Sequence, residues 1–268
     1  MTSSAPTIIV RARCGDVLGE LGDPRLEKME WCEVPEGKFL MGCTEDELEL
    51  ILEEMKEFYQ TQPWEYSWDD VRKWRQESCP RHQVFLQKFY IGKFSITNHH
   101  FFAFWKEGGY QENKWWSVRG LAWLNRSLEE EERMNLDKWQ RRNGRTEPAF
   151  WNDPNLRISN RPLVGVTWFE AMAYCGWLNE QLNFTGRPYG VLDMAGNSKD
   201  WCNSLFAPYP YNFRDGRENV DIDGKRAVRG GLPYMGRYSA RCTHRRHHPP
   251  DFHQNGVGFR VVIGPKLD

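Results

Sequence analysis

The chain lacks a charge excess: 36 Lys and Arg stand against 37 Asp and Glu in 268 residues, for a net charge of −1. A generally basic nucleic-acid binder is thereby excluded, and any such role would need a local concentration of cations. No apolar run approaches the roughly 20 residues of a membrane-spanning helix. The apolar stretch Ile8 to Val10 is far too short for a secretory leader, and arginines follow at once. The seven cysteines contain no CxxC pair. Their odd number and scatter fit a reducing compartment better than a disulfide framework. The expectation is a cytoplasmic protein with no membrane partner. Asn125-Arg-Ser127 and Asn183-Phe-Thr185 match the glycosylation triplet, but in that context they are read as chance. Internal repeats and heptad runs are absent too.

What the chain has is aromatic area. Hydrophobic residues make up only 40%, yet 13 Trp, 15 Phe and 10 Tyr supply enough surface to bury a core. Helix signals are local and chemical. Arg11 to Leu21 reads as a short helix stopped by Gly22 and the Asp23-Pro24 pair. WCEVPEGKFLMGC reads as a strand, a turn at Pro35-Glu-Gly37 and a second strand. Thr44 and Glu47 have the spacing of a capping box, and behind them Leu48, Ile51, Leu52, Met55, Phe58 and Tyr59 share one helical face. Residues 84–94 alternate as a strand, and Thr97 caps a short aromatic helix. Ser127 and Glu130 form a second box, opening a charged helix to about Arg142. Thr167 and Glu170 form a third, before a helix so apolar all round that it must be deeply buried. From Tyr189 on, frequent glycines predict short strands and long loops.

Six blocks in order carry a family resemblance: PEGKFLMG, VFLQKFYIGKFSITNHHFFAFW, RPLVGVTWFEAMAYCGWLN, YGVLDMAGN, RAVRGG and GVGFRVV, spanning Val34 to Val262. Together they resemble the formylglycine-generating-enzyme, or sulfatase-modifying factor, family. The resemblance implies an α+β fold of the C-type-lectin-like kind, with a small antiparallel core, few helices and much irregular loop. It places one domain at residues 30–264, with 1–29 as a helical linker or appendage. That first segment resembles the linker preceding recognition modules in large bacterial signalling ATPases. Two departures stand out. Only Asn183 to Pro188 connects the buried helix to YGVLDMAGN, where the family has a longer stretch and one of its calcium sites. The motif usually written GNVWEW reads GNSKDW, so a second calcium site would rest on Asn197, Asp200 and nearby carbonyls. Calcium is the one cofactor this leaves open.

The family's oxidase chemistry uses two cysteines just after the Gly-Gly of RGG, because soft thiolates hold copper(I). Here that place reads Leu232-Pro-Tyr-Met-Gly-Arg-Tyr-Ser-Ala240, and the next cysteine is Cys242. No catalytic residue is assigned. A related branch makes sulfoxides with an iron held by three histidines, supplied largely by a helical domain for which this chain has no room. The run THRRHHPPDFHQNGVGFR contains His244, His247, His248 and His253, but Pro249-Pro250 argue against the helix that would align 244 with 248. A metal-dependent oxidase of either type is the alternative reading.

Between Leu232 and Arg260 five arginines, 237, 241, 245, 246 and 260, face one acid, Asp251. Tyr234, Tyr238 and Phe252 could stack on bases. The resemblance, however, assigns Arg229, Arg241, Arg245 and Arg260 to the scaffold, with Gly230, Gly231, Gly258 and Phe259, and what remains is thin for a phosphate track. The reading adopted is a non-catalytic recognition module with a protein ligand. Tyr234, Met235, Arg237, Tyr238, Thr243, Arg246, His247, His248, Phe252, His253 and Asn255 are expected to form one exposed face that gains charge near pH 6. The pattern is similar to the variable segment of proteins diversified by retroelements, and between Leu232 and Val257 only Met235 and Gln254 are types that such mutagenesis of Asn codons cannot produce. The module would serve as the sensor part of a bacterial signalling or defence system, alone or within a larger protein. The bland alternative is that these residues simply coat a loop-rich surface.

Overall fold

The structure is a computed structural model that describes residues 7–62, 67–136, 140–141, 145–181, 187–188, 192–194 and 196–264. Helix α1 (Ile8–Leu21) starts one turn earlier than its periodicity predicts, because the Thr7 hydroxyl accepts from the amide of Val10 and caps it. It ends at Gly22, whose φ of +101° suits glycine. The helix lies on the segment 159–161, where Asn160 Nδ2 donates to the Gly15 carbonyl and Arg161 pairs with Asp16, each at 2.8 Å. Asp23 and Leu26 are buried and Met29 packs on the main core. Asp23, Leu26 and Met29 are therefore packed against the unit that the resemblance begins at 30.

Strands β1 (Trp31–Val34) and β2 (Gly37–Met41) flank the expected turn but do not pair with each other. Helices α2 (Glu45–Tyr59) and α3 (Trp68–Gln76) follow, the first opened by the Thr44–Glu47 capping box. The run expected as one strand over 84–94 divides into β3 (His82–Leu86) and β4 (Phe89–Gly92), and the halves join different sheets: β3 pairs with β2, and β4 with β1. After α4 (Asn98–Lys106), capped by Thr97, come α5 (Val118–Leu124) and α6 (Leu128–Arg133). The Ser127–Glu130 box forms, but α6 stops at Arg133 instead of running to Arg142, since Asn135 takes a left-handed φ of +48°. Residues 137–139 and 142 of that expected helix lie outside the described residues.

Helix α7 (Trp168–Gln181) is the centre of the molecule. Its capping box is itself buried: Glu170, wholly inaccessible, accepts from the Thr167 amide and hydroxyl on one oxygen and from the Tyr110 hydroxyl on the other. Tyr174 stacks on Phe101 and meets Phe259 edge-on. Strands β5 (Arg187–Pro188), β6 (Lys199–Leu205), β7 (Arg226–Arg229), β8 (Arg245–His248), β9 (Val257–Gly258) and β10 (Val262–Ile263) complete two four-stranded sheets, ordered β10-β4-β1-β5 and β8-β7-β6-β9. Most of the short 183–188 connection falls outside the described residues. Small sheets, flanking helices and long loops make this an α+β fold of the C-type-lectin-like kind.

A second core forms where α2 and α3 pack against the C-terminal segment: Leu48, Ile51, Leu52, Met55 and Val71 close around Cys43, Cys79 and Tyr238. The hairpin of helices thus covers part of the stretch that follows the RGG block.

Candidate functional site

The frame beneath the C-terminal segment is built from arginines that satisfy loop carbonyls. Arg260, largely buried, donates to the carbonyls of Gly92, Lys93 and Leu192 and pairs with Asp200 at 3.2 Å. Arg245 donates to the Ala207 carbonyl and lies between the Phe206 and Tyr209 rings, 4.0 Å from each centroid. Arg229 donates to the Cys242 carbonyl and the Tyr209 hydroxyl. Arg226, which sequence reasoning passed over, is fully buried, caps the carbonyls of Asn203, Asn219, Val220 and Ile222, and lies 4.1 Å over the Trp168 ring. It opens the same RAVRGG block, so the signal was there to read. Gly231 and Gly258 have no room for a Cβ, which would meet the Ser239 carbonyl at 2.8 Å and the Leu163 carbonyl at 2.3 Å. Gly230 takes a left-handed φ of +86°, and Phe259 is buried on Tyr174. Arg241 does not belong to this frame. Its side chain is 40% exposed and reaches Glu54 of α2 at 2.6 Å, because the helical hairpin and not a loop lies beside it.

The single exposed face expected from the sequence is not formed. Tyr238 is 2% exposed, pinned between α2 and α3 with its hydroxyl 3.1 Å from that of Tyr59. Phe252 is buried beneath His248, the two rings parallel with centroids 3.9 Å apart, and His253 is buried nearby. The cause is the α2–α3 hairpin and the inward course of the 249–253 turn; neither is visible in the periodicity of a loop. Met235 packs on the second core, and Thr243, Arg246, His247 and His248 are half-buried. Arg237, Tyr234 and Asn255 are exposed.

His244 and His248 are also held from gaining charge near pH 6. Burial, then the nearby cations Arg75, Arg246 and Lys199, depress His244 to about 2. Burial, then Lys199, His247 and Arg246, depress His248 to about 3. His247, against the Phe206 ring, is shifted down as well, chiefly by burial. Rings held neutral beside three cations make a poor metal cradle. Among the described residues no cluster of three or more His, Cys, Asp or Glu stands in metal-binding proximity.

The donors for the family's metals can be tested in the same way. Cys43 and Cys79 are neighbours, with sulfurs 3.0 Å apart. They lie in the hydrophobic seam under α2, and burial pushes the Cys79 thiol up to about 12 and Cys43 upward too. Thiols so disfavoured as thiolates do not fit copper(I). Asp200 is claimed by Arg260, while burial raises its carboxyl to about 6. Asn197 is exposed beside it in sequence. A carboxylate already neutralised by a guanidinium does not fit a calcium ligand.

What remains open is a groove of about 390 Å³ lined by Leu156, Arg161, Pro162, Val164, Asn197, Leu232, Pro233, Tyr234, Asn255 and Gly256. Two of the expected contact residues, Tyr234 and Asn255, line it. So do Leu232 and Pro233, which directly follow the Gly-Gly of the RAVRGG block.

The sequence matches the family of sulfatase-modifying factor enzyme 1-like domains over residues 22–185 and 181–265. Serine/threonine-protein kinase pkn1 of Chlamydia caviae is 24% identical over 73% of this chain and 36% of its own length. Hercynine oxygenase of Mycolicibacterium thermoresistibile is 31% identical over 38% of this chain and 22% of its own. The chain thus spans about a third or less of these curated relatives. The structure of PvdO from Pseudomonas aeruginosa superposes with a TM-score of 0.51 at 17% identity, covering 87% of this chain and 93% of PvdO. Six ordered sequence blocks, the arginine frame and a match over nearly the whole chain lead to one conclusion: the protein belongs to the sulfatase-modifying factor enzyme 1-like domain family.

Proposed function

We propose that this chain is a non-catalytic recognition module, and that its ligand-binding surface is the groove flanked by Tyr234 and Asn255. The observation that carries the reading is the replacement of chemistry by contact surface at one place in the fold. Where the family resemblance would place metal-binding thiols, Leu232, Pro233 and Tyr234 line an open groove. Tyr234 is 61% exposed, and an exposed ring beside apolar walls and an Asn amide is the composition of a recognition hot spot. A groove flanked by a side chain as exposed as Tyr234 suits a peptide segment of a protein ligand better than an enclosed small molecule. The pkn1 relatives, named as kinases, carry the similar stretch within a far longer chain, which supports a sensor role inside or beside a signalling protein.

Similarity to hercynine oxygenases over 38% of the chain favours the oxidase alternative. Panning a displayed peptide library on the wild-type protein, with counter-selection on Tyr234→Ala/Asn255→Trp, separates the two. The recognition reading expects enriched peptides that bind the wild type and not the variant, with both melting alike. Enrichment that the groove variant leaves intact would place recognition elsewhere. Turnover of a thiol substrate would favour the oxidase.

A further inference from the structure

On the side of the C-terminal segment covered by the helical hairpin, buried cations outnumber the acids that face them. Arg75 of α3 is 3% exposed, and its Nη1 lies 2.9 Å from Nδ1 of His244, itself 5% exposed. A guanidinium only donates, so Nδ1 must accept and the imidazole proton must lie on Nε2. That fixes a set of unmet donors: Arg75 Nε and Nη2 and His244 Nε2 are all buried and without a partner. Every missing partner is an acceptor.

The surroundings add charge of one sign. Lys199 of β6 is 7% exposed and has no carboxylate partner among the described residues. On the sheet, Val228 stands opposite both Trp201 and Arg246, so Lys199, Trp201, Arg246 and His248 share one face. Arg246 reaches over the Trp74 ring of α3. Burial first, and then Arg246 and Arg75, hold the Lys199 ammonium down to about 8. Glu77 is the acid that faces this group; it also faces Arg245 and Lys225, and burial shifts its carboxyl upward. One carboxylate, shared with Arg245 and Lys225, does not balance Arg75, Lys199 and Arg246. A small cavity of about 10 Å³ opens beside Arg75 and His244, lined also by Ser78, Tyr238 and Thr243, with Cys43, Leu48 and Ile51 as its apolar wall; Lys199 and Arg246 stand outside this lining and add their charge from nearby.

We infer that this cavity is an anion site, taking a small inorganic anion or a single oxygen of a phosphate or sulfate group between Arg75 and His244. Unpaired cations in a low-dielectric seam repel one another, and buried donors without acceptors cost stability; a bound anion removes both penalties. The cavity holds about one atom, so the anion enters stripped of water and selectivity follows size. Its lining shares no residue with the Tyr234 groove, so the site stands or falls independently of the recognition reading.

The test is calorimetric titration of the full chain with chloride and with inorganic phosphate, in a buffer whose only other anion is bulky, alongside melting curves. The inference expects saturable one-site binding of at least one of the two, matched by a saturable rise in melting temperature. Chloride alone would identify a monatomic site, and phosphate alone an oxyanion site. Arg75→Gln should weaken binding at least about tenfold. Because that variant removes a buried contact, Lys199→Met is the second arm. It should melt higher than wild type without anion, having lost a like charge beside Arg75 and Arg246, and should lose most of the anion-induced rise. Absence of saturable binding for both anions would overturn the site. So would binding that Lys199→Met and Arg75→Gln leave unchanged.

Discussion

His248 lies flat on Phe252 and His244 takes a hydrogen bond from Arg75, and both rings are neutral in the fold. Their folded values, about 3 and about 2, lie below the unfolded value near 6.5. A base with a depressed folded value binds fewer protons when native than when unfolded. Stability from these rings is therefore fully present above about pH 6.5 and is lost as pH falls below it. The cost is about 1.4 kcal/mol per pH unit for each ring. Asp200 acts the other way: raised to about 6, its carboxyl binds a proton more readily in the fold and returns part of the loss as pH drops through that value. Melting temperature should fall steadily from pH 6.5 to 4.5, and His248→Phe, which keeps the stack on Phe252, should make the fall clearly shallower. A flat profile over that range would mean that the rings titrate normally.

Two arginines show how much of the site was legible residue by residue. Arg260 lies in the GVGFRVV block and Arg241 in the stretch between it and RAVRGG, and both were expected to support the surface from beneath. Arg260 does, through three carbonyls and Asp200. Arg241 instead meets Glu54 at the surface, because a helix absent from the motif's logic occupies that flank. Arg260→Ala should destabilise by several kcal/mol, since removing a buried ion partner strands Asp200. Arg241→Ala should cost no more than about 1 kcal/mol, the scale of an exposed pair. Urea denaturation of the two variants checks the contrast.

At the scale of elements, caps were the readable signal. Thr44, Thr97, Ser127 and Thr167 each begin a helix as their hydroxyl spacing predicts, because capping is a bond between residues three apart. Strand pairing is not local. Nothing in residues 84–94 says that the two halves must leave for different sheets. Helix α3 was passed over because its apolar positions are few; Val71 and the buried Arg75 hold it to α2 and the C-terminal segment. The consequence is the α2–α3 hairpin that hides Tyr238. Tyr238→Ala should cost about 3 to 4 kcal/mol, as for a large buried ring, whereas Tyr234→Ala should change stability by less than about 0.5 kcal/mol, as for a surface position. Equal effects would mean that the hairpin does not cover the segment.

For the molecule as a whole, the arginine frame, the buried helix α7 and the small sheets were foreshadowed by motifs, while the division of the C-terminal segment into a covered seam and an open groove depends on distant chain. A position such as Phe252 or His253, on the covered side of that division, is spent on packing. Burial also sets thiol chemistry. Cys14 and Cys242 are exposed, whereas burial raises Cys32, Cys43, Cys79, Cys175 and Cys202. A thiol reagent should accordingly modify Cys14 and Cys242 rapidly in the native protein and the other five only on unfolding.

The claim that this family member binds without oxidising is tested most directly by copper(I). A competition titration against a chromophoric chelator, with the same samples incubated with a cysteine-containing peptide under oxygen and read by mass spectrometry, measures both halves of the family's oxidase chemistry. With Leu232, Pro233 and Tyr234 in the groove and the adjacent thiols Cys43 and Cys79 held protonated in a hydrophobic seam, the expected result is no tight stoichiometric copper and no peptide aldehyde. One tightly bound copper per chain together with conversion of cysteine to formylglycine would contradict the account.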